Sequence, residues 1–130
     1  AMPSYGNADV LCAIAGKDTA RGVIMAQVMP NVSNTAIPIV RRFQEDIKKH
    51  GEKDMRPNIL QLEAYVTTQV LLEGLRRAGP AAPRQKLVPA LDALKRLDLG
   101  GYTVEFSPTR HTGSEFVDIS IIGRDCRLMF

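Results

Sequence analysis

The run Gly22-Val23-Ile24-Met25-Ala26-Gln27-Val28-Met29 constrains this chain more than any other stretch. It is β-branched, almost wholly apolar, and closed by glycine at one end and Pro30 at the other. A strand with one wet face alternates apolar with polar residues. A nearly continuous apolar run suits a strand covered on both faces, as in a parallel sheet with helices on either side. Such a strand needs neighbours, because its unpaired edges and bare faces are otherwise open to water. The 130 residues are enough for one modest core, not for two independent lobes.

The rest of the chain offers helices and hairpins. Asn7 can cap a short helix from Ala8 to Ala15, with Gly16 as its stop. Pro30 to Asn34 reads as a connection, after which Asn34 or Thr35 can cap a second helix with Pro38 in its first turn. Ile37, Val40, Phe43 and Ile47 share one face of that helix, which ends at His50-Gly51. A third helix opens at Pro57-Asn58 and runs to Ala78, stopped by Gly79-Pro80. Its broad apolar surface (Ile59, Leu60, Leu62, Tyr65, Val66, Val70, Leu71, Leu75) marks it as the best buried of the helices, with Glu73, Arg76 and Arg77 outward. Leu87, Leu91 and Leu94 mark a fourth, expected to begin close to Pro89, because proline removes a donor and clashes with the preceding turn.

After Gly100-Gly101 the period changes from helical to two. Tyr102, Val104 and Phe106 alternate with Thr103 and Glu105. Phe116, Asp118, Ser120 and Ile122 alternate with Val117, Ile119 and Ile121, and a last strand runs from Arg127 to Phe130. These read as antiparallel hairpins. The fold class is therefore α/β, a mixed α+β arrangement of about four helices, one buried strand and C-terminal hairpins.

Composition excludes more than it selects. The chain is 45% hydrophobic and 24% charged, ordinary for a soluble globular protein. Net charge is +3, basic and acidic residues interleave, and tryptophan is absent, which argues against a nucleic-acid surface. No apolar run is long enough to span a bilayer. His50 and His111 lack companions at metal-ligand spacing and read as a helix-end and a turn residue. Gly100-Gly101 precedes a strand, the wrong context for a phosphate loop. Without convergent titratable groups no enzyme is expected, and no cofactor or metal. Cys12 reads as a small buried helix residue and Cys126 as part of a hairpin turn; a bridge between them requires that the fold bring them together. Ala1 ahead of Met2 reads as a cloning remnant, leaving Met2 as the start and no export signal. The alternative is that a signal and the preceding part of a longer protein are missing.

The order of these segments resembles the C-terminal third of the type I periplasmic solute-binding proteins, the Leu/Ile/Val-binding receptors of ABC transporters. Pro3-Ser4-Tyr5-Gly6 resembles a cleft loop of the second lobe, and Val28-Met29-Pro30 a hinge entry. Leu62-Glu63-Ala64-Tyr65 resembles a Leu-Glu-Gly-Tyr signature, and Leu75-Arg76-Arg77-Ala78-Gly79 the end of the same helix. Leu97 to Gly101, Phe106-Ser107-Pro108 and His111-Thr112-Gly113-Ser114 resemble the closing region. No single motif is specific; the weight lies in their order and spacing.

The resemblance implies a fragment of the periplasmic-binding-protein type I fold. Residues 1–29 and 100–130 would belong to the second lobe, and 32–97 would supply helices to the first. It implies Ser4, Tyr5 and Gly6 as ligand-binding residues, Pro30 and Asn31 as a hinge, and an amino acid or small carboxylate as solute. An ABC permease is the implied partner and the periplasm the implied location, or the cytoplasm if Met2 is the true start. Three departures stand out: Ser4 where amino-acid binders carry a carboxylate, Ala64 for glycine, and Cys126 for glycine. Helices made to pack on absent strands must cover their apolar faces, at about 25 cal/mol per Å2, so a homodimer is expected. The competing readings are a self-associating interaction module with no small ligand, and a regulatory ligand sensor.

Overall fold

The computed structural model describes residues 6–80 and 84–130. Its elements, in chain order, are α1 (Ala8–Ala15), α2 (Lys17–Ala20), β1 (Ile24–Gln27), α3 (Pro38–His50), α4 (Ile59–Ala78), α5 (Arg84–Asp92), β2 (Leu97–Asp98), β3 (Thr103–Val104), β4 (Asp118–Ile122) and β5 (Leu128–Met129). They form two compact units, Ala1–Asn31 with Phe116–Phe130, and Val32–Glu115.

In the first unit α1 forms where expected. The Asn7 side chain accepts from the amides of Asp9 and Val10, satisfying donors that a helix start leaves free. The one-turn α2 that follows was not foreseen. The sheet has the order β1-β4-β5 and is antiparallel throughout, with Ile24 opposite Ile121 and Ile121 opposite Met129. This corrects the parallel, doubly covered strand: β1 alternates in exposure, with Met25 and Gln27 buried and Ile24 and Ala26 exposed. An apolar run specifies that both faces want cover but not which strand pairs with it. Here the partner is β4, and among the described residues helices cover only one face. That face packs Ala8, Cys12, Ala20, Met25, Ile122 and Cys126 into a core flanked by Leu11, Val23 and Leu128. Cys12 and Cys126 are joined in a disulfide across 114 residues of sequence, so the fold does bring them together.

In the second unit α3 supplies Ile39, Val40 and Phe43 to the core and is better buried than α4, which contributes Leu62, Val66 and Gly74. This reverses the expected ranking. Leu60, Leu71, Leu72 and Leu75 of α4 stay exposed, because its apolar surface is broader than the packing around it. Asn58 and Gln61 close a capping box at its start. The N-cap of α3 is Ile37, without a side-chain bond, rather than Asn34 or Thr35, and Pro38 takes the first position; Asn34 instead accepts from the Ala36 amide in the preceding turn. Helix α5 begins five residues ahead of Pro89 rather than at it. The helix tolerates one missing hydrogen bond near its start, and Leu94 lies beyond its end, fully buried.

Two contacts knit the second unit. The Phe43 and Tyr65 rings meet at 5.5 Å between centroids, and the Tyr65 hydroxyl donates to Asp46 at 2.6 Å. Between β2 and β3, Asp98 accepts from the Gly100 and Gly101 amides at 2.8 and 2.9 Å, which holds its carboxyl below the usual range. The Gly100 carbonyl accepts from the Ile39 amide at 3.0 Å and the Leu99 carbonyl from Arg42, so this turn is clamped to the first turn of α3. Glu73 accepts from both Arg76 and Arg77 on the surface of α4, and their guanidinium groups lower its carboxyl to about 2. His111 reaches Asp92 at 3.5 Å rather than a group within its own turn.

Candidate functional site

The described chain leaves the first unit after Asn31 and returns to it at Phe116. The first crossing contains the expected hinge residues, and its two ends are held differently. On the near side Gln27, the one polar residue of the strand, is fully buried and donates through Nε2 to Ser120 Oγ at 2.9 Å. Ser120, also fully buried, lies 3.4 Å from the Met25 carbonyl, to which it donates. β1 is thus pinned to β4 at its last residue, ahead of the crossing. On the far side the Gln44 amide donates to the Val32 carbonyl, fixing the first residue of the second unit to α3. Between the two anchors lie Val28, Met29, Pro30 and Asn31; Met29 and Pro30 are buried and Asn31 half-buried.

Gln27, Ser120 and Gln44 escaped the sequence reading. The signal for the first two was present: a glutamine inside an apolar strand must find a buried partner, and Ser120 shares a face of β4 with Asp118, which register sets opposite Gln27. Gln27 Oε1 finds no donor among the described residues.

Gly6 sits half-buried in a bend just ahead of the α1 cap, on the same unit as Pro30. Ser4 and Tyr5, the other ligand-binding expectations, lie outside the described residues. At the return crossing, Arg110 pairs with Glu115 at 2.9 Å and the Glu105 amide donates to the Gly113 carbonyl at 2.7 Å. Burial pushes the Tyr102 hydroxyl up, partly offset by its hydrogen bond with Ser114. No group of three or more His, Cys, Asp or Glu able to hold a metal occurs among the described residues. Among the described residues the site is one of crossings and anchors, without a cluster of His, Cys, Asp or Glu able to hold a metal.

A family model described as periplasmic binding protein matches residues 1–120. Among solved structures, the extracellular ligand-binding receptor of Verminephrobacter eiseniae shares 28% identity and a TM-score of 0.83, over 98% of this chain and 36% of that one. The substrate-binding periplasmic protein of Ralstonia solanacearum shares 32% identity and a TM-score of 0.83, over 95% and 36%. A branched-chain amino-acid ABC transporter protein of Thermus thermophilus, solved with bound valine, has the same fold at 20% identity and a TM-score of 0.68, over 98% and 37%. The chain spans about a third of the length of these structures. No curated protein matches it.

Proposed function

This chain belongs to the periplasmic binding protein family, and from that premise we propose that it is part of a solute receptor, with Pro30-Asn31 as one connection between lobes. The observation that carries the reading is the pair of anchors around that crossing, Gln27–Ser120 before it and Gln44–Val32 after it. Hinges work this way: a few residues absorb the backbone change while both flanks stay rigid. The solute stabilises the closed arrangement only if it contacts both sides. Ser4, Tyr5 and Gly6 are the contacts assigned to this part. The solute is an amino acid or a small organic or aromatic acid; with Ser4 where amino-acid binders often carry a carboxylate for the ligand's ammonium, a carboxylate or aromatic acid fits as well as a free amino acid. The receptor would deliver it to an ABC permease.

The periplasm suits the Cys12–Cys126 disulfide, since such bonds persist in oxidising compartments. No helix among the described residues is long and apolar enough to cross a membrane. The test is calorimetric titration with amino acids and aromatic carboxylates, on the wild type and on Ser4→Ala and Tyr5→Ala. A ligand whose affinity falls at least about ten-fold in either variant supports the reading. Binding unaffected by both, or no binding by a folded sample, removes it.

A second reading has its own support. Leu60, Leu71, Leu72 and Leu75 expose 43 to 54% of their surface along α4, and such a row favours association with a second copy of this chain. The protein would then act as a self-associating module, and light scattering would give a dimer mass.

A further inference from the structure

Gln27 is the last residue of β1, and its carboxamide is only half used. Nε2 donates to Ser120 Oγ at 2.9 Å. Ser120 in turn donates to the Met25 carbonyl at 3.4 Å, so its oxygen is left to accept. This order fixes Nε2 towards Ser120 and Oε1 away from it. Oε1 is shut off from solvent and meets no donor among the described residues. Asp118, set opposite Gln27 by the register, brings acceptors only. The enclosure is made by the chain's own residues, since Gln27 and Ser120 are both fully buried.

A buried acceptor without a donor carries a desolvation penalty equivalent to about five- to 150-fold in a two-state population. Protein interiors seldom keep one, and an apolar side chain of the same length would avoid it. Its place in the chain gives it a use. The crossing begins with the next residue. Met29, two residues on, is buried, and its amide donates to no backbone carbonyl among the described residues. Pro30, which follows, has no N–H to offer. An unpaired acceptor and a donor without a backbone partner thus lie one residue apart, at the point where a hinge must turn.

We propose that Gln27 is a latch for the crossing: in a second arrangement of residues 28–31, Oε1 accepts from the Met29 amide while Nε2 keeps Ser120. The proposal rests on Pro30-Asn31 being a connection between lobes, and adds what sets the balance of that connection. A hinge needs two arrangements within a few kcal/mol of one another. One hydrogen bond made in only one of them is enough to weight that balance, and here it weights the latched arrangement. Gln27 is then a positioning residue that acts on the backbone of the crossing and touches no solute.

The experiment is NMR on the whole chain without ligand, comparing wild type with Gln27→Met, which keeps the length of the side chain and removes both polar atoms. Relaxation dispersion, which reports the μs–ms range of hinge motion, should show exchange at Val28, Met29 and Asn31 in wild type and none in the variant. Hydrogen exchange at the Met29 amide should be at least about ten-fold slower in wild type than in Gln27→Met, with the amides of β1 and β4 changed far less. Ser120→Ala separates the two ends of the carboxamide: it frees Nε2 but leaves Oε1, so dispersion and Met29 protection should both survive. Met29 exchanging equally in wild type and Gln27→Met overturns the latch, as does dispersion that persists in that variant or is absent from wild type. Protection lost evenly along β1 and β4 would make Gln27 a fastener of the sheet alone, which also overturns it. None of these results bears on solute binding, which the titration of the Ser4 and Tyr5 variants decides separately.

Discussion

Cys126 adopts a φ of +63°, a left-handed conformation that costs a non-glycine residue about 1–2 kcal/mol. The relatives' glycine at this position, as the resemblance implies, would be free of that cost. The cysteine is held there by its bond to Cys12, which staples α1 to the turn between β4 and β5. Removing a native bridge of this kind typically costs about 2–5 kcal/mol. Cys12→Ala should therefore lower the denaturation midpoint by that order, and a reductant should do the same to wild type but not to the variant. Cys126→Gly is the sharper probe: it relieves the strained φ, so its loss should be smaller than that of Cys126→Ala by about 1 kcal/mol. Equal losses in urea titrations would show that the turn is not strained. Nothing in the local sequence announced this bond, because its two ends meet only when the sheet is assembled. The Gln27–Ser120 contact was hidden for the same reason, although a glutamine within an apolar run was visible as an anomaly.

Tyr65 behaves differently, since its environment is set by neighbours one helix away. Burial, aided by its hydrogen bond to Asp46 and that carboxylate's charge, pushes its hydroxyl up to about 12. The folded value lies above the unfolded one, so the neutral phenol's contribution to stability is fully present below pH about 10. It is lost as pH climbs through about 12. Absorbance at the phenolate band should show one of the three tyrosines titrating near 12, and Tyr65→Phe should remove that step. Persistence of the step in the variant would assign it to another tyrosine.

Among the elements, the hairpin joining β2 and β3 is a brace for α3. Gly100 has a φ of +93°, and a side-chain carbon there would lie 3.0 Å from Cβ of Pro38 and 3.4 Å from the Ile39 amide nitrogen. Gly100→Ala should cost about 1–3 kcal/mol in strain and expose the Ile39 amide, which hydrogen exchange would report as lost protection in the first turn of α3. Preserved protection at Ile39 would mean that the brace is dispensable. The helix ends were mostly legible, because caps are local: Asn7 and Gly16 bounded α1, and Asn58 and Gly79 bounded α4. The alternation of Tyr102 and Val104 against Thr103 and Glu105 likewise survived. What could not be read locally was pairing. β1 advertised burial on both sides, yet its partner β4 begins only at Asp118, 91 residues after Gln27 ends β1. Pro89 misled for a related reason, since the start of α5 follows from the helix packed on α4, where Leu87 and Leu91 lie against Gly74.

At the scale of the whole molecule, a chain about a third the length of its structural relatives keeps two packed units with unequal surfaces. The helical unit hides Leu62 completely yet leaves Leu72 and Leu75 at 54 and 45% exposure on the same helix. Those leucines cannot be explained by the unit's own packing, and this separates stability from association. Leu62→Ala should create a cavity and cost about 2–5 kcal/mol, lowering the melting temperature at any concentration. Leu72→Glu/Leu75→Glu should leave the isolated unit's stability within about 1 kcal/mol, as surface changes do, while driving the species seen in light scattering towards the monomer mass. The concentration dependence of wild-type melting should vanish in that double variant, since stability drawn from a partner follows mass action. If the double variant instead melts as early as Leu62→Ala, the exposed leucines belong to the unit's own core and the self-association reading fails.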